Sequence, residues 1–165
     1  MKIYIISFLL IFCCFQLTSF AQISPKELTA IKLLSKGADV ILTGKVAKQK
    51  SSWNKNKTRI YTEATLQVDE YLKGSSSRNS VIVTYPGGEV GDVGELYTHM
   101  PRFTNNEDVL VFLKKDEKGA DYKVFKGENG KINIINNPQN GEKVTSSNVR
   151  INFLKAQIKN FLKEQ

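Results

Sequence analysis

A chain of 165 residues that is 41% hydrophobic and 24% charged matches one folded domain and excludes a disordered tail or a bundle of membrane helices. Basic residues outnumber acidic ones by 24 to 16, a net charge of +8. Two cysteines and one histidine are too few for a Cys/His zinc cluster, and no Walker A or GxGxxG run occurs.

Residues 1–21 have the form of a secretory signal. Lys2 supplies the positive start, Ile3 to Phe15 the apolar stretch, and Ser19-Phe20-Ala21 the small residues that a signal peptidase accepts. The stretch is shorter than the about 20 apolar residues of a membrane span. Cys13 and Cys14 lie in this leader, but Phe12 stands where a lipidation signal needs a small residue. Cleavage after Ala21 leaves one domain, residues 22–165, without cysteine. Such a domain forms no disulfide, offers no thiol nucleophile and binds no zinc through sulfur, so it relies on its apolar core. The expected location is the periplasm or the external medium.

Ser24-Pro25-Lys26-Glu27 opens a helix: Ser24 caps, Pro25 suits the first helical position, and Glu27 completes a capping box. Leu28, Ile31 and Leu34 follow at helical spacing, and Gly37 ends the segment. Ala38 to Val46 is a β-branched run that reads as a strand buried on both faces. From Arg59 to Leu72 the chain alternates, with Ile60, Thr62, Ala64, Leu66 and Val68 on one face. Val81 to Tyr85 forms a third strand and the apolar Val109 to Leu113 a central fourth. Tyr122 to Phe125 and Ile132 to Ile135 are expected to form a hairpin around Asn129-Gly130. Asn140-Gly141 turns the chain toward a closing helix with the stripe Val149, Phe153, Leu154, Ile158, Phe161 and Leu162, surrounded by Arg150, Lys155, Lys159 and Lys163. Five or six short strands with a helix at each end indicate a mainly β fold. The expectation is a small antiparallel Greek-key barrel of the OB type, with a β-sandwich as the alternative.

The order Ala38 to Val46, Tyr61 to Gly74 and Val81 to Tyr85 resembles the first three strands of the netrin-like OB domain, which is shared with tissue inhibitors of metalloproteinases. Glu107 to Leu113 resembles its later central strand, and secreted bacterial domains carry a loop similar to Pro86-Gly87-Gly88. The resemblance covers roughly residues 38 to 125 and implies a fold more than a function. It implies a module that contacts a protein, a protease among them. The inhibitors chelate their target's zinc through an amino-terminal cysteine. Here the expected terminus is Gln22, which can cyclise, and no cysteine follows it, so those residues do not carry over.

Three constellations bear on chemistry. Lys45, Lys48, Lys50, Lys55, Lys57 and Arg59 surround Trp53, with no acidic residue between Asp39 and Glu63. Cations attract a polyanion backbone and the indole offers a stacking face, so this connection is a candidate polysaccharide or nucleic-acid site. Glu89, Asp92, Glu95 and His99 lie in the glycine-rich run 86–101. Oxygen ligands on a pliable loop suit calcium, and adding His99 suits zinc or manganese, which would support a metal-dependent hydrolase. Ser35, Ser51, Ser52 and residues 75–77 lie outside any Gly-x-Ser-x-Gly elbow, and no spacing links a serine to His99. The leading expectation is therefore an exported, non-enzymatic protein-binding module without a cofactor. Polyanion binding and metal-dependent hydrolysis are the alternatives.

Overall fold

Ser24 begins the first helix as its neighbours require. In the computed structural model, which describes residues 23–76, 78–116 and 121–164, its hydroxyl accepts the Glu27 amide at 3.2 Å. The Glu27 carboxylate returns to the Ser24 amide at 3.0 Å. This closed capping box starts α1 (Pro25–Gly37), which buries Ile31, Leu34 and Ser35. The leader read at 1–21, with Gln22, lies outside the described residues.

Strands β1 (Val40–Trp53) and β2 (Ile60–Lys73) form a long antiparallel ribbon, and β2 continues into β3 (Ser80–Pro86). A small separate hairpin follows, β4 (Gly88–Val90) with β5 (Val93–Glu95). Strand β6 (Asp108–Lys115) pairs with β1, and β7 (Tyr122–Val124) joins β6 to β3. The pairings β1–β2, β2–β3, β3–β7, β7–β6 and β6–β1 close a five-stranded ring. The sheet thus closes on itself as a small OB-like barrel, and the two-sheet sandwich does not form. All of these pairings are antiparallel except β3–β7, which is parallel. Strands β8 (Lys131–Asn136) and β9 (Lys143–Thr145) extend the sheet before α2 (Ile151–Lys163).

Two apolar layers hold the molecule. Val40, Leu42, Val46, Ala64, Leu66, Val83, Val111 and Leu113 fill the barrel. The outer faces of β1 and β6, through Ile41, Leu110 and Phe112, pack under α1 and α2. That is why Val40–Leu42 and Val109–Leu113 read as continuous apolar runs: both faces are covered.

Bulges bend the ribbon so that it can close. Ala47 is extra on β1, because Val46 faces Leu66 while Lys48 faces Thr65. Asp69 is extra on β2, because Thr43 faces Glu70 while Gly44 faces Val68. The bulge at Asp69 shifts the inward positions of β2, so Val68 and then Tyr71 pack in the barrel, while Leu72 turns toward the helices.

Three expectations need correction. Tyr122–Phe125 and Ile132–Ile135 do not pair with one another around Asn129-Gly130. Both pair with the same edge of β6, Val124 opposite Leu113 and Lys131 opposite Val111. They therefore follow one line, and residues 127–130 fold out as a 3-10 turn entered through Lys126 and Gly127 at φ 62 and 60. Asn140-Gly141 leads not into the closing helix but into β9. Phe153, counted in the helical stripe, is 43% exposed, because Ile151, Leu154, Ile158 and Phe161 make the buried face.

Helix α2 is also tied to β2 by charge. Lys159 and Lys155 donate to the Glu70 carboxylate at 2.8 and 2.9 Å, and these hydrogen bonds hold its pKa below the usual range. Lys114 does the same for Asp39 at 2.7 Å. A carboxyl with a lowered folded pKa contributes stability above its unfolded pKa and loses it as pH falls through the folded value. Stability is therefore expected to decline on acidification through and below the ordinary carboxylate range. Glu70 is 39% exposed, so Glu70→Gln should cost under about 1 kcal/mol at neutral pH and flatten part of that decline. Urea midpoints of both proteins across pH measure it.

Candidate functional site

Beyond Lys45 the β1–β2 ribbon runs on past the end of β6 as an arm, with β2 still backed by β3 as far as Tyr61. Its turn is built by one side chain. The Asn54 carboxamide accepts the Thr58 and Arg59 amides at 2.8 and 3.2 Å and donates to the Thr58 hydroxyl at 2.9 Å. Lys57 sits in the left-handed region at φ 52. The connection read from sequence as 47–58 is thus mostly paired strand, with Trp53 opposite Ile60.

The strand period distributes the basic cluster. After the bulge at Ala47, Lys48 and Lys50 pair with Thr65 and Glu63 on one face. Gln49, Ser51 and Trp53 pair with Ala64, Thr62 and Ile60 on the other, the face that continues into the barrel interior. The fold therefore sets Trp53 opposite to Lys48 and Lys50 and gathers Lys55, Lys57 and Arg59 at the exposed tip. Lys45, also exposed, faces Asp108 at 3.8 Å.

Below the arm the barrel ends in a polar mouth. Thr62 donates its hydroxyl proton to the Gly87 carbonyl at 2.6 Å, so Ser51, 2.8 Å from Thr62, is the donor to it. The Tyr85 phenol donates to the Gln49 side-chain oxygen at 2.8 Å, and its ring meets Phe103 with centroids 5.6 Å apart. Burial pushes the Tyr85 pKa up and keeps the phenol neutral. Gly88 has φ 130, and a Cβ there would overlap the Ser51 and Thr62 hydroxyls. The Pro86-Gly87-Gly88 run lets the backbone approach the arm this closely.

The β4–β5 hairpin is clamped to the arm by one carboxylate. Glu95 accepts the Ile60 amide and the Tyr97 hydroxyl, both at 3.0 Å. The bond to Glu95 raises the Tyr97 pKa. At the hairpin tip Gly91, φ 60, takes the first place of a two-residue turn, where glycine is favoured. Glu95→Ala removes the acceptor of an amide on the buried Ile60 and is expected to cost about 1–2 kcal/mol. Equilibrium unfolding in urea measures this.

A recess of about 630 Å³ opens between the arm, Pro86–Glu89 and residues 94–103. A larger groove of about 930 Å³ runs on from it between α1, residues 97–102, the 3-10 turn and residues 145–149. Tyr97, Met100, Pro101 and Arg102 line both. Beside them Leu96 is 73% exposed and Val93 47%. Sequence reading missed these two because the segment read as an irregular loop. The available signal was apolar side chains set among four glycines and three acids.

The acidic candidates do not gather. Glu89 and Asp92 project from the exposed hairpin, while Glu95 turns into the arm. His99 leaves in another direction: its Nδ1 lies 3.0 Å from the Glu128 carboxylate, and its carbonyl accepts the Glu128 amide at 3.0 Å. Among the described residues no three His, Cys, Asp or Glu side chains come together as a metal site. The grouping of Glu89, Asp92, Glu95 and His99 expected from their spacing is thereby corrected. Ser51, the serine nearest the mouth, has Thr62 as its hydroxyl partner. Among the described residues no helix is long and apolar enough to cross a membrane. No protein-family model matches the chain, and the search of curated proteins found no match.

Proposed function

We propose that this domain is an exported, non-enzymatic binding module that contacts an extracellular or periplasmic protein through the open end of its barrel. The observation that carries this reading is the pair Leu96 and Val93, exposed on a hairpin that Glu95 clamps beside a recess. Fixed apolar side chains ringed by polar groups are the usual anchors of a protein interface. Met100, Pro101 and Tyr97 extend the apolar surface, and Arg102 with the arm supplies a polar rim. The resemblance to metalloproteinase inhibitors makes a protease one partner class. With no cysteine after Cys14, contact would come from the loops rather than from zinc chelation.

The test is capture from envelope and secreted extracts on the immobilised domain, comparing wild type with Leu96→Asp. Loss of a specific captured protein, with unchanged thermal unfolding, is expected. A hot-spot change of about 2 kcal/mol corresponds to roughly 30-fold in affinity. Identical capture by both proteins, or hydrolysis of common ester, peptide or glycoside substrates by the wild type, would overturn the reading.

Polyanion binding is the second reading, favoured by the meeting of Lys55, Lys57 and Arg59 at the arm tip. It requires retention on heparin that weakens steeply with salt and is lost when these three are neutralised. The separation of Trp53 from Lys48 and Lys50 works against one stacking platform built from Lys48, Lys50, Trp53, Lys55, Lys57 and Arg59 together.

A further inference from the structure

We infer that the free edge of β1 over Lys48–Trp53 takes an extended, acidic segment of the partner protein as an added strand. This rests on the protein-binding reading and specifies how the partner docks.

The edge arises from the topology. From Val40 to Lys45, β1 is paired on both sides, with β2 and with β6. The last backbone links on the β6 side are Val46 N–H to the Glu107 carbonyl at 2.9 Å and Asn106 N–H to the Val46 carbonyl at 2.8 Å; beyond them the Gln49 side-chain nitrogen donates to the Asn105 side-chain oxygen at 3.4 Å. From Lys48 to Trp53 the strand pairs with β2 alone. Six residues span about 20 Å, enough for a strand of ordinary length. Backbone donors and acceptors along this side are a template for another chain.

The template is preorganised. Behind it β2 is paired to β3 as far as Tyr61 opposite Pro86, and Asn54 ties the turn. Ser51 and Gln49 are held by Thr62 and Tyr85, so the edge needs little ordering on binding. Gln49 and Ser51 also line the recess, which places the edge next to the apolar hairpin.

Charge selects the occupant. Lys48 and Lys50 stand on one face, Lys55, Lys57 and Arg59 at the tip, and Glu63 is the only acid among their cross-strand partners. An incoming strand with carboxylates at alternate positions sets them beside Lys48 and Lys50. Its intervening side chains then meet Gln49, Ser51 and Trp53, a face suited to β-branched residues. A second copy of this chain would bring the same lysines against each other, which is unfavourable. Lysines guard edges against indiscriminate pairing, and here the same charges favour acidic partners.

The test is selection of random dodecapeptides by phage display on the whole immobilised domain, followed by synthesis of the best peptide with and without alternate backbone N-methylation. Trp53, the only tryptophan, reports binding by fluorescence, and amide exchange reports residues 48–53. Enrichment of peptides with alternating acidic and β-branched residues is expected, with slowed exchange at 48–53. N-methylation, or Lys48→Glu with Lys50→Glu, should weaken binding by about tenfold or more, while Lys26→Glu leaves it unchanged. No enrichment, enrichment without acidic residues, or indifference to N-methylation would overturn the inference. If the edge fails this test while Leu96→Asp still abolishes capture, the binding-module reading stands alone. If peptides dock on the edge while Leu96→Asp captures normally, the edge stands and the hairpin reading falls.

Discussion

Phe112→Ala is expected to destabilise the domain by about 3–5 kcal/mol, the range for removing a fully buried phenylalanine ring. Phe112 lies on the outer face of β6 with no exposed surface, packed in the layer formed by Ile41, Leu110, Leu154 and Ile158. Helices and barrel are joined chiefly through this layer, and small side chains cannot close over the space a ring vacates. No cysteine follows Cys14, so no disulfide limits the loss. The urea midpoint of the variant decides the matter. A shift worth under about 1 kcal/mol would mean that the helical layer is not docked as described. The proposed binding end of the barrel does not include Phe112, so whatever fraction stays folded is expected to capture partner as the wild type does.

Gly44→Val carries the second large effect, about 3 kcal/mol, the upper end for forcing extra atoms into packed structure. A Cβ on Gly44 would overlap the Gln67 carbonyl oxygen and sit 3.3 Å from the Val68 Cα. Those atoms are backbone of the paired strand and cannot rotate away as a side chain would. The clash falls at the bulge where Asp69 is extra, the point at which the ribbon bends to close the barrel. Spreading β1 and β2 there also re-aims the arm that carries Trp53 and the Lys48–Trp53 edge. Lower stability is therefore expected together with weaker partner capture, even at temperatures where the variant is folded. Capture equal to wild type under those conditions would show that the direction of the arm is irrelevant to binding.

The proposed binding end and the stabilising layer occupy different parts of one small fold. Apolar burial under α1 and α2 supplies the anchoring, which leaves the arm, the β4–β5 hairpin and residues 97–103 to vary their surface. The Glu95 carboxylate illustrates the division: a residue that reads as a metal ligand by its spacing serves instead to fasten the β4–β5 hairpin to the arm.

Features that depend on neighbours a few residues apart were legible in the amino-acid sequence itself. The Ser24–Glu27 capping box spans three residues and closed as written, and the alternation of β2 held from Ile60 to Leu66. The double-sided burial of Val109–Leu113 followed from an unbroken apolar run. Only the tertiary structure decided what depends on partners distant in the chain. The Asn129-Gly130 turn signal yielded because β6 offered one continuous edge to both flanking strands, and pairing with it satisfied more backbone groups than a local hairpin. The bulges at Ala47 and Asp69 came from ring closure, and the first of them put Gln49, Ser51 and Trp53, rather than Lys48 and Lys50, on the face that continues into the barrel interior. Spacing alone likewise grouped Glu95 with His99, whereas the Ile60 amide and Glu128 drew them apart. Local hydrogen bonding and periodicity are written within a few residues, while the geometry of a closed sheet is a property of all its strands together.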